Sequence, residues 1–244
     1  MTKLIGISSR MGGGKDTTGR IIQYLTQEHQ ELSLEDMLNY PLCNPSPPTT
    51  PWEIKKYAGK LKECVSLITG ISVMDLENEQ VKNSVLGPEW NQWAQINETT
   101  KTIQAMTVRV LLQKLGTEGG RSVHPDLWVN ALFSDYDIKP RVKPDDPNFI
   151  TKPKKYKEEI INAVTPSWII TDCRFPNEVA AIEKRDGILI RINREQPRNH
   201  NQVNTHPSEI ALDCHNFKYV IDNNGTIPEL VEKVELILKD TKIL

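Results

Sequence analysis

Gly12, Gly13 and Gly14 run directly into Lys15, and they follow an apolar stretch, Leu4 to Ser8, that reads as a buried parallel strand. Three consecutive glycines accept backbone angles that a side chain forbids, so several N–H groups can converge on one anion. Lys15 adds a mobile cation where the β- and γ-phosphates of a nucleotide would lie. The spacing predicts a helix from Lys15 to about Gln27 with Ile21, Ile22 and Leu25 inward. Its unpaired N–H groups and positive dipole end point at the same place. Together these features predict a phosphate-binding loop; a flexible glycine turn before an ordinary helix is the alternative.

The match to the G-x-x-x-x-G-K-[ST] pattern is incomplete, because Ser9 stands where the first glycine belongs and Asp16 where the hydroxyl residue belongs. A hydroxyl follows one place later, at Thr17. Gly12, Gly13, Gly14, Lys15, Asp16, Thr17 and Thr18 are therefore the expected ATP contacts. Thr17 is the expected support for a magnesium ion, directly or through water, with Asp16 as the competing ligand. Phosphoryl transfer asks a protein for positioning and positive charge rather than covalent chemistry. Lys15, Arg109, Arg121, Arg174 and the arginines after a strand at Ile188–Ile192 supply that charge.

These residues need elements to carry them. Ser167 to Asp172 reads as a second apolar strand, with Arg174 in the turn behind it and Pro176 in the first turn of a helix through Val179 and Ile182. In open α/β sheets ligands sit beyond the carboxyl ends of strands, so Asp172 and Arg174 are expected to face the crevice that holds Lys15. Thr107 is placed to cap a helix that stops at Gly116, with Val108, Leu111, Leu112 and Leu115 inward and Arg109 to one side; a turn at Gly119-Gly120 leads into a helix over Asp126–Phe133. Ile54 to Ile68 reads as a short strand into a helix with Leu61, Val65 and Ile68 on one side. Lys60 and Lys62 near its start suit a substrate phosphate, or are solvated surface lysines. Strands at Ile188–Ile192 and Tyr219–Ile221 follow, then a closing helix capped by Thr226 with Pro228 in its first turn.

Two stretches break the pattern. Five prolines between Glu31 and Pro51 exclude a regular helix or central strand there, and residues 139–157 carry seven Lys/Arg against two Asp, with four prolines. The basic stretch could attract phosphates or be a solvated loop. Met74 to about Thr102 carries no readable period.

Composition narrows the class. The 244 residues suffice for one sizeable core, and 38% hydrophobic with 25% charged residues is ordinary for a globular protein. A net charge of -2 gives no general reason to expect nucleic acid or a membrane as partner. The four cysteines, Cys43, Cys64, Cys173 and Cys214, form no C-x-x-C pair and read as reduced thiols. No hydrophobic segment is long enough for a signal peptide or a membrane span, so the cytoplasm is the expected location. The oligomeric state stays open, a homodimer included.

The Gly-Lys-x-Thr order at Gly14 to Thr17 resembles nucleoside monophosphate kinases of the adenylate kinase type. More specifically, the chain resembles the deoxynucleoside monophosphate kinases of T4-like bacteriophages and their relatives. The resemblance rests on Gly14-Lys15-Asp16-Thr17-Thr18, Arg109 with Leu112-Gln113, Leu115 to Glu118, Trp128-Val129, Asp172-Cys173-Arg174 with Glu178, Thr205-His206 with Glu209, and Val220 to Thr226, in that order along nearly the whole chain. It implies an α/β fold of three layers, a central parallel sheet flanked by helices as in P-loop NTPases, with lid (about 193–209) and acceptor-binding insertions on a single kinase domain spanning 1–244.

The activity implied is transfer of the γ-phosphate of ATP, with magnesium, to a deoxynucleoside 5′-monophosphate, in the host cytoplasm if the gene is a phage's. Arg109, Gly116, Thr117, Trp128, Asp172, Arg174 and Glu178 would contact the monophosphate, with Lys62 and Arg121 as added cationic candidates. Lys15, Arg109 and Arg174 would be catalytic. Trp128 would either stack on the base or belong to the core. Met11 and Ser9 depart from that family's loop, and the two irregular stretches do not resemble it, so base preference does not carry over. A kinase of dephospho-coenzyme A or of a nucleoside would use the same loop and arginine logic, and a regulatory module would keep the loop without transfer.

Overall fold

Leu4–Ser9 (β1) lies in the middle of a five-stranded parallel sheet and is buried along nearly its whole length. The computed structural model describes residues 3–41, 47–95, 101–136, 166–195 and 210–244. After β1 come helices Lys15–Leu25 (α1) and Leu34–Asn39 (α2), strand Trp52–Lys55 (β2), and helices Tyr57–Thr69 (α3) and Glu79–Asn83 (α4). A hairpin of Gln92–Gln95 (β3) and Lys101–Gln104 (β4) leads to Val108–Gln113 (α5), a π-helical stretch Lys114–Gly119, Gly120–Val123 (α6) and Leu127–Phe133 (α7). The chain then adds Ser167–Ile170 (β5), Pro176–Glu183 (α8), Ile188–Asn193 (β6), Tyr219–Asp222 (β7) and Ile227–Asp240 (α9).

The chain divides into two compact units. One comprises residues 1–40, 44–55 and 129–244; the other, residues 41–43 and 56–128. The first holds the sheet, in the order β2-β5-β1-β6-β7. Its period-2 pattern sorts residues onto two faces. Ile5, Ile7, Ile169, Ile190 and Ile192 share one cluster with Ile21 and Ile22 of α1 and Leu230, Val234 and Leu238 of α9. Gly6 turns the other way, where a Cβ would stand 2.5 Å from the Ile182 side chain of α8. Helices therefore cover both faces, and the sheet is the middle of three layers. Trp168 packs on the α8 side with Phe133 and Tyr136, the Tyr136 ring centroid 4.9 Å from its own.

In the second unit Val65, Leu76 and Val108 form a small core, with Leu61, Leu111, Leu112 and Leu115 packed against it. Thr107 caps α5 by accepting from the Val110 N–H at 3.2 Å. Thr226 caps α9 in the same way through the Glu229 N–H.

The structure corrects four local readings. The helix begun at Thr107 does not stop at Gly116 or turn at Gly119-Gly120: both of the latter glycines keep helical dihedrals, and the chain stays helical to Val123. Trp128 lies so close over Gly120 that a Cβ there would meet the indole at 2.7 Å, so glycine serves packing rather than a turn. The stretch from Glu31 to Pro51 does contain a helix, α2, because Ser33 caps it and Pro41 comes only after its end. A buried Arg20 ties that segment back to α1, donating to Tyr40 O at 3.1 Å and to Gln23 Oε1 at 2.7 Å. Ile68 is exposed rather than inward, since α3 buries only the side carrying Val65 and Lys62. The β5 strand ends at Ile170, two residues before Asp172: the Thr171 N–H still pairs in step with Lys55 O, but the Cys173 N–H reaches Ile7 O one residue out of the register in which the Trp168 N–H meets Lys3 O.

Residues 139–157 and 196–209, with Thr205, His206 and Glu209, lie outside the described residues, as does Cys43.

Leu238 is fully buried between α9 and the sheet. Leu238→Ala is expected to lower unfolding free energy by about 3 kcal/mol, through lost transfer energy and a residual cavity. Urea titration checks this as a lower midpoint at unchanged slope.

Candidate active site

Parallel pairing sets β1 and β5 in register, Leu4 against Trp168 and Gly6 against Ile170, so both strands release their chains at the same edge. The glycine loop leaves β1 there, and the turn with Asp172, Cys173 and Arg174 leaves β5. A hydrogen bond from the Cys173 N–H to Ile7 O, 3.2 Å, fixes that turn directly against the strand that feeds the loop.

Within the loop, Gly12 and Gly14 have φ of 74° and 100°, values that L side chains seldom adopt. Gly14 stands at the N-cap of α1, and the Gly13 N–H closes a turn onto Arg10 O at 3.0 Å. Thr18 is fully buried and bonds back to Gly14 O through both its N–H, 2.9 Å, and its hydroxyl, 3.0 Å. It therefore secures the first turn of the helix. Thr17 is half-buried at the same turn.

Asp16, at the position where the pattern has a hydroxyl, is held from two sides. Lys15 Nζ donates to Oδ2 at 2.8 Å, and the buried Thr171 hydroxyl at the end of β5 donates to Oδ1 at 2.8 Å. The neighbouring strand thus aims the carboxylate of the loop helix.

Glu178 is buried and accepts the N–H groups of Arg174, 2.7 Å, and Phe175, 3.1 Å. Its carboxylate holds the backbone of the arginine turn at the start of α8. Asp172 is buried beside it and Arg174 is half-exposed. Burial pushes the Cys173 thiol well above its ordinary value, and the charges of Glu178 and Asp172 push it further the same way.

At the ends of β6 and β7 lies an open cavity of about 710 Å³, lined among others by Arg10, Arg191, Arg194, His215, Phe217 and Asn224. Asp213 bridges Arg10 at 2.5 Å and Arg191 at 2.8 Å, and Arg191 also donates to the buried Ser8 hydroxyl at 2.9 Å. Sequence reading picked out neither Asp213 nor Arg191.

The second unit holds the remaining sequence candidates. Arg109 pairs with Glu79 and donates to Asn83 Oδ1 at 2.9 Å. Lys62 is buried against Glu77; burial lowers its pKa, and the Glu77 hydrogen bond and charge act in opposition. Trp128 is buried with its indole N–H donating to Gly116 O at 2.8 Å, which fastens the tryptophan into that unit's packing. Thr117 is exposed, and Arg121 bonds to Pro125 O at 3.4 Å.

A sequence model of the deoxynucleotide monophosphate kinase family matches residues 53–234. The chain belongs to that family. This deoxynucleotide monophosphate kinase is accordingly an enzyme of nucleotide metabolism, a phosphotransferase acting on a nucleoside monophosphate. The matched span takes in Arg109, Trp128, the Asp172–Glu178 turn and β7. The kinase's glycine loop precedes that span, so its assignment rests on the residues and geometry above. Among curated proteins no match to the chain is found. No helix among the described residues is long and apolar enough to cross a membrane.

The Cys173 environment gives a direct check on the packing of the arginine turn in this kinase. A maleimide at neutral pH is expected to label the exposed Cys64 and Cys214 and to spare Cys173 until urea is added, as read by peptide mass spectrometry. The unfolded thiol ionises near 9.0 and the folded one higher, so the unfolded state loses its proton first. Stability should therefore fall as pH rises above about 9, and fall less steeply in Cys173→Ala.

Proposed function

We propose that the enzyme transfers the γ-phosphate of magnesium-bound ATP to a deoxynucleoside 5′-monophosphate, giving ADP and the diphosphate. The main support is that Lys15 and Arg174 follow neighbouring parallel strands, β1 and β5, out of one edge of the sheet. Two polyanions need cationic and amide donors at one place, and this edge offers both.

On the donor side, the N–H groups of Gly12 to Lys15 and the α1 N-terminus would take the phosphates, with Asp16, Thr17 and Thr18 in the first helical turn. Lys15 would leave Asp16 for the phosphate oxygens, a stronger partner in charge. The cavity at the ends of β6 and β7 is roomy enough for the nucleoside part, with Arg10, Arg191 and Arg194 at its walls.

The donor set suits magnesium, which favours oxygen ligands and keeps several waters beside one or two carboxylates and substrate phosphates. Thr17 Oγ1 and the Asp16 carboxylate, aimed by Thr171, would hold it, and Asp172 would orient its water shell or an arginine. A bound ion would neutralise charge on the transferring phosphoryl group.

On the acceptor side, Arg174 would grip the monophosphate, with its turn held by Glu178. Arg109, Gly116, Thr117 and Trp128 are proposed as further monophosphate contacts on the resemblance alone, and Lys62 and Arg121 only as cationic candidates. An oxygen of the acceptor phosphate attacks the γ-phosphorus, the bond to the β–γ bridging oxygen breaks, and ADP leaves with that electron pair. The reaction is assigned to the cytoplasm, of the host if the gene is a phage's.

Lys15→Ala is expected to cut kcat by about a thousandfold or more with the fold intact by circular dichroism. Arg174→Ala should raise KM for the monophosphate about tenfold or more and leave KM for ATP within about threefold. A panel of the four deoxynucleoside monophosphates, the ribonucleotides, nucleosides and dephospho-coenzyme A with magnesium-ATP tests the substrate class. Diphosphate products from the deoxynucleotides support it, and phosphorylation of only a nucleoside or dephospho-coenzyme A overturns it.

A further inference from the structure

Asn223 follows directly on β7, two strands away from the glycine loop in the sheet order, yet its side chain reaches that loop. Its backbone N–H donates to Asn193 O at 2.7 Å, which extends the β6–β7 pairing by one residue and fixes the Cα at the sheet's edge. The side chain is buried, and Nδ2 donates to Gly13 O at 3.0 Å. The amide also fills the space beside Gly14, where a Cβ would stand 2.5 Å from Nδ2. Any side chain at position 14 would therefore dislodge it, over and above the cost of φ 100°.

The peptide that Asn223 grips is the one joining Gly13 to Gly14. No cis peptide occurs among the described residues, and in a trans peptide the C=O and the N–H point in opposite directions. Fixing the Gly13 carbonyl on Asn223 thus turns the Gly14 N–H away from Asn223. Glycine on both sides lets this peptide flip at little cost when nothing holds it. A flip would replace an anion-binding N–H with a carbonyl oxygen and set a negative dipole against the ligand.

We propose that Asn223 is a positioning residue for the donor half of the site: its amide sets the Gly13–Gly14 peptide so that the Gly14 N–H is presented to the donor's phosphates. The assignment rests on the phosphate-binding reading of the loop. Asn223 makes no contact with substrate itself. It acts through the backbone, and its effect should fall on triphosphate binding and leave the monophosphate alone.

The test is calorimetric titration of Asn223→Ala and Asn223→Asp with magnesium-ATP, and separately with a deoxynucleoside monophosphate, beside the wild type and with thermal melts of all three. Asn223→Ala should weaken ATP about tenfold, the worth of one buried hydrogen bond that orients a donor. Asn223→Asp keeps the shape but sets an acceptor and a charge against Gly13 O, so it should weaken ATP more. Monophosphate affinity should stay within about twofold in both.

ATP affinity within twofold of wild type in a folded variant overturns the proposal, and so does an equal loss for both ligands. If neither variant folds, the amide is a structural lock only and the proposal falls. Because binding is read without turnover, a wild type that binds ATP but phosphorylates no monophosphate refutes the kinase reaction and leaves this inference standing on its own data. A wild type that does not bind ATP refutes the inference itself.

Discussion

Parallel pairing of β1 with both β5 and β6 is the constraint on which the site depends. Parallel strands share one carboxyl edge, and the chain must leave each of them there. The loop after β1, the arginine turn after β5 and the cavity walls after β6 and β7 are consequences of that shared edge. The isoleucines that bury the sheet, Ile5, Ile7, Ile169, Ile190 and Ile192, set the register. A slip of one residue would turn them toward the opposite face and move every loop with them.

Upon that frame, short polar side chains fix what the glycines leave loose. Thr171 aims Asp16, Glu178 holds the N–H groups of Arg174 and Phe175, and Asn223 takes the Gly13 carbonyl. Each is buried, and each bonds a residue of the loop, helix start or turn that carries a charged candidate. Burial makes an unmade hydrogen bond costly, so these contacts order backbone more firmly than exposed ion pairs would. Lys15 and Asp16 differ in kind: their pair lies at the half-exposed start of α1, where the proposed donor phosphates would compete for the lysine.

Much of this frame was legible in the residues. The strand–glycine–lysine–helix order located the loop, and the caps at Thr107 and Thr226 and the proline in the first turn of α8 fell where local chemistry requires them. The α/β class and the family followed from motif order. What was not legible depended on distant packing. Gly119 and Gly120 look like a turn, but the approach of Trp128 explains why glycine is needed inside a helix. Trp128 itself is anchored through Gly116 O, twelve residues back, which no periodicity reveals. The roles of Thr171, Asp213 and Asn223 all depend on partners more than 20 residues away. The Asn223-Asn224-Gly225 run carried the one available signal, and it showed only in the resemblance.

The central claim is that one sheet edge serves both phosphate chains, with Lys15 on the donor and Arg174 on the acceptor. A bisubstrate analogue, a deoxynucleoside joined to adenosine through five phosphates, tests it in a single calorimetric titration. Joining the two ligands makes the second contact intramolecular, so the analogue should bind about a hundredfold or more tighter than ATP, and Lys15→Ala and Arg174→Ala should each remove most of that gain. An analogue that binds no tighter than ATP and is indifferent to Arg174→Ala would contradict the account.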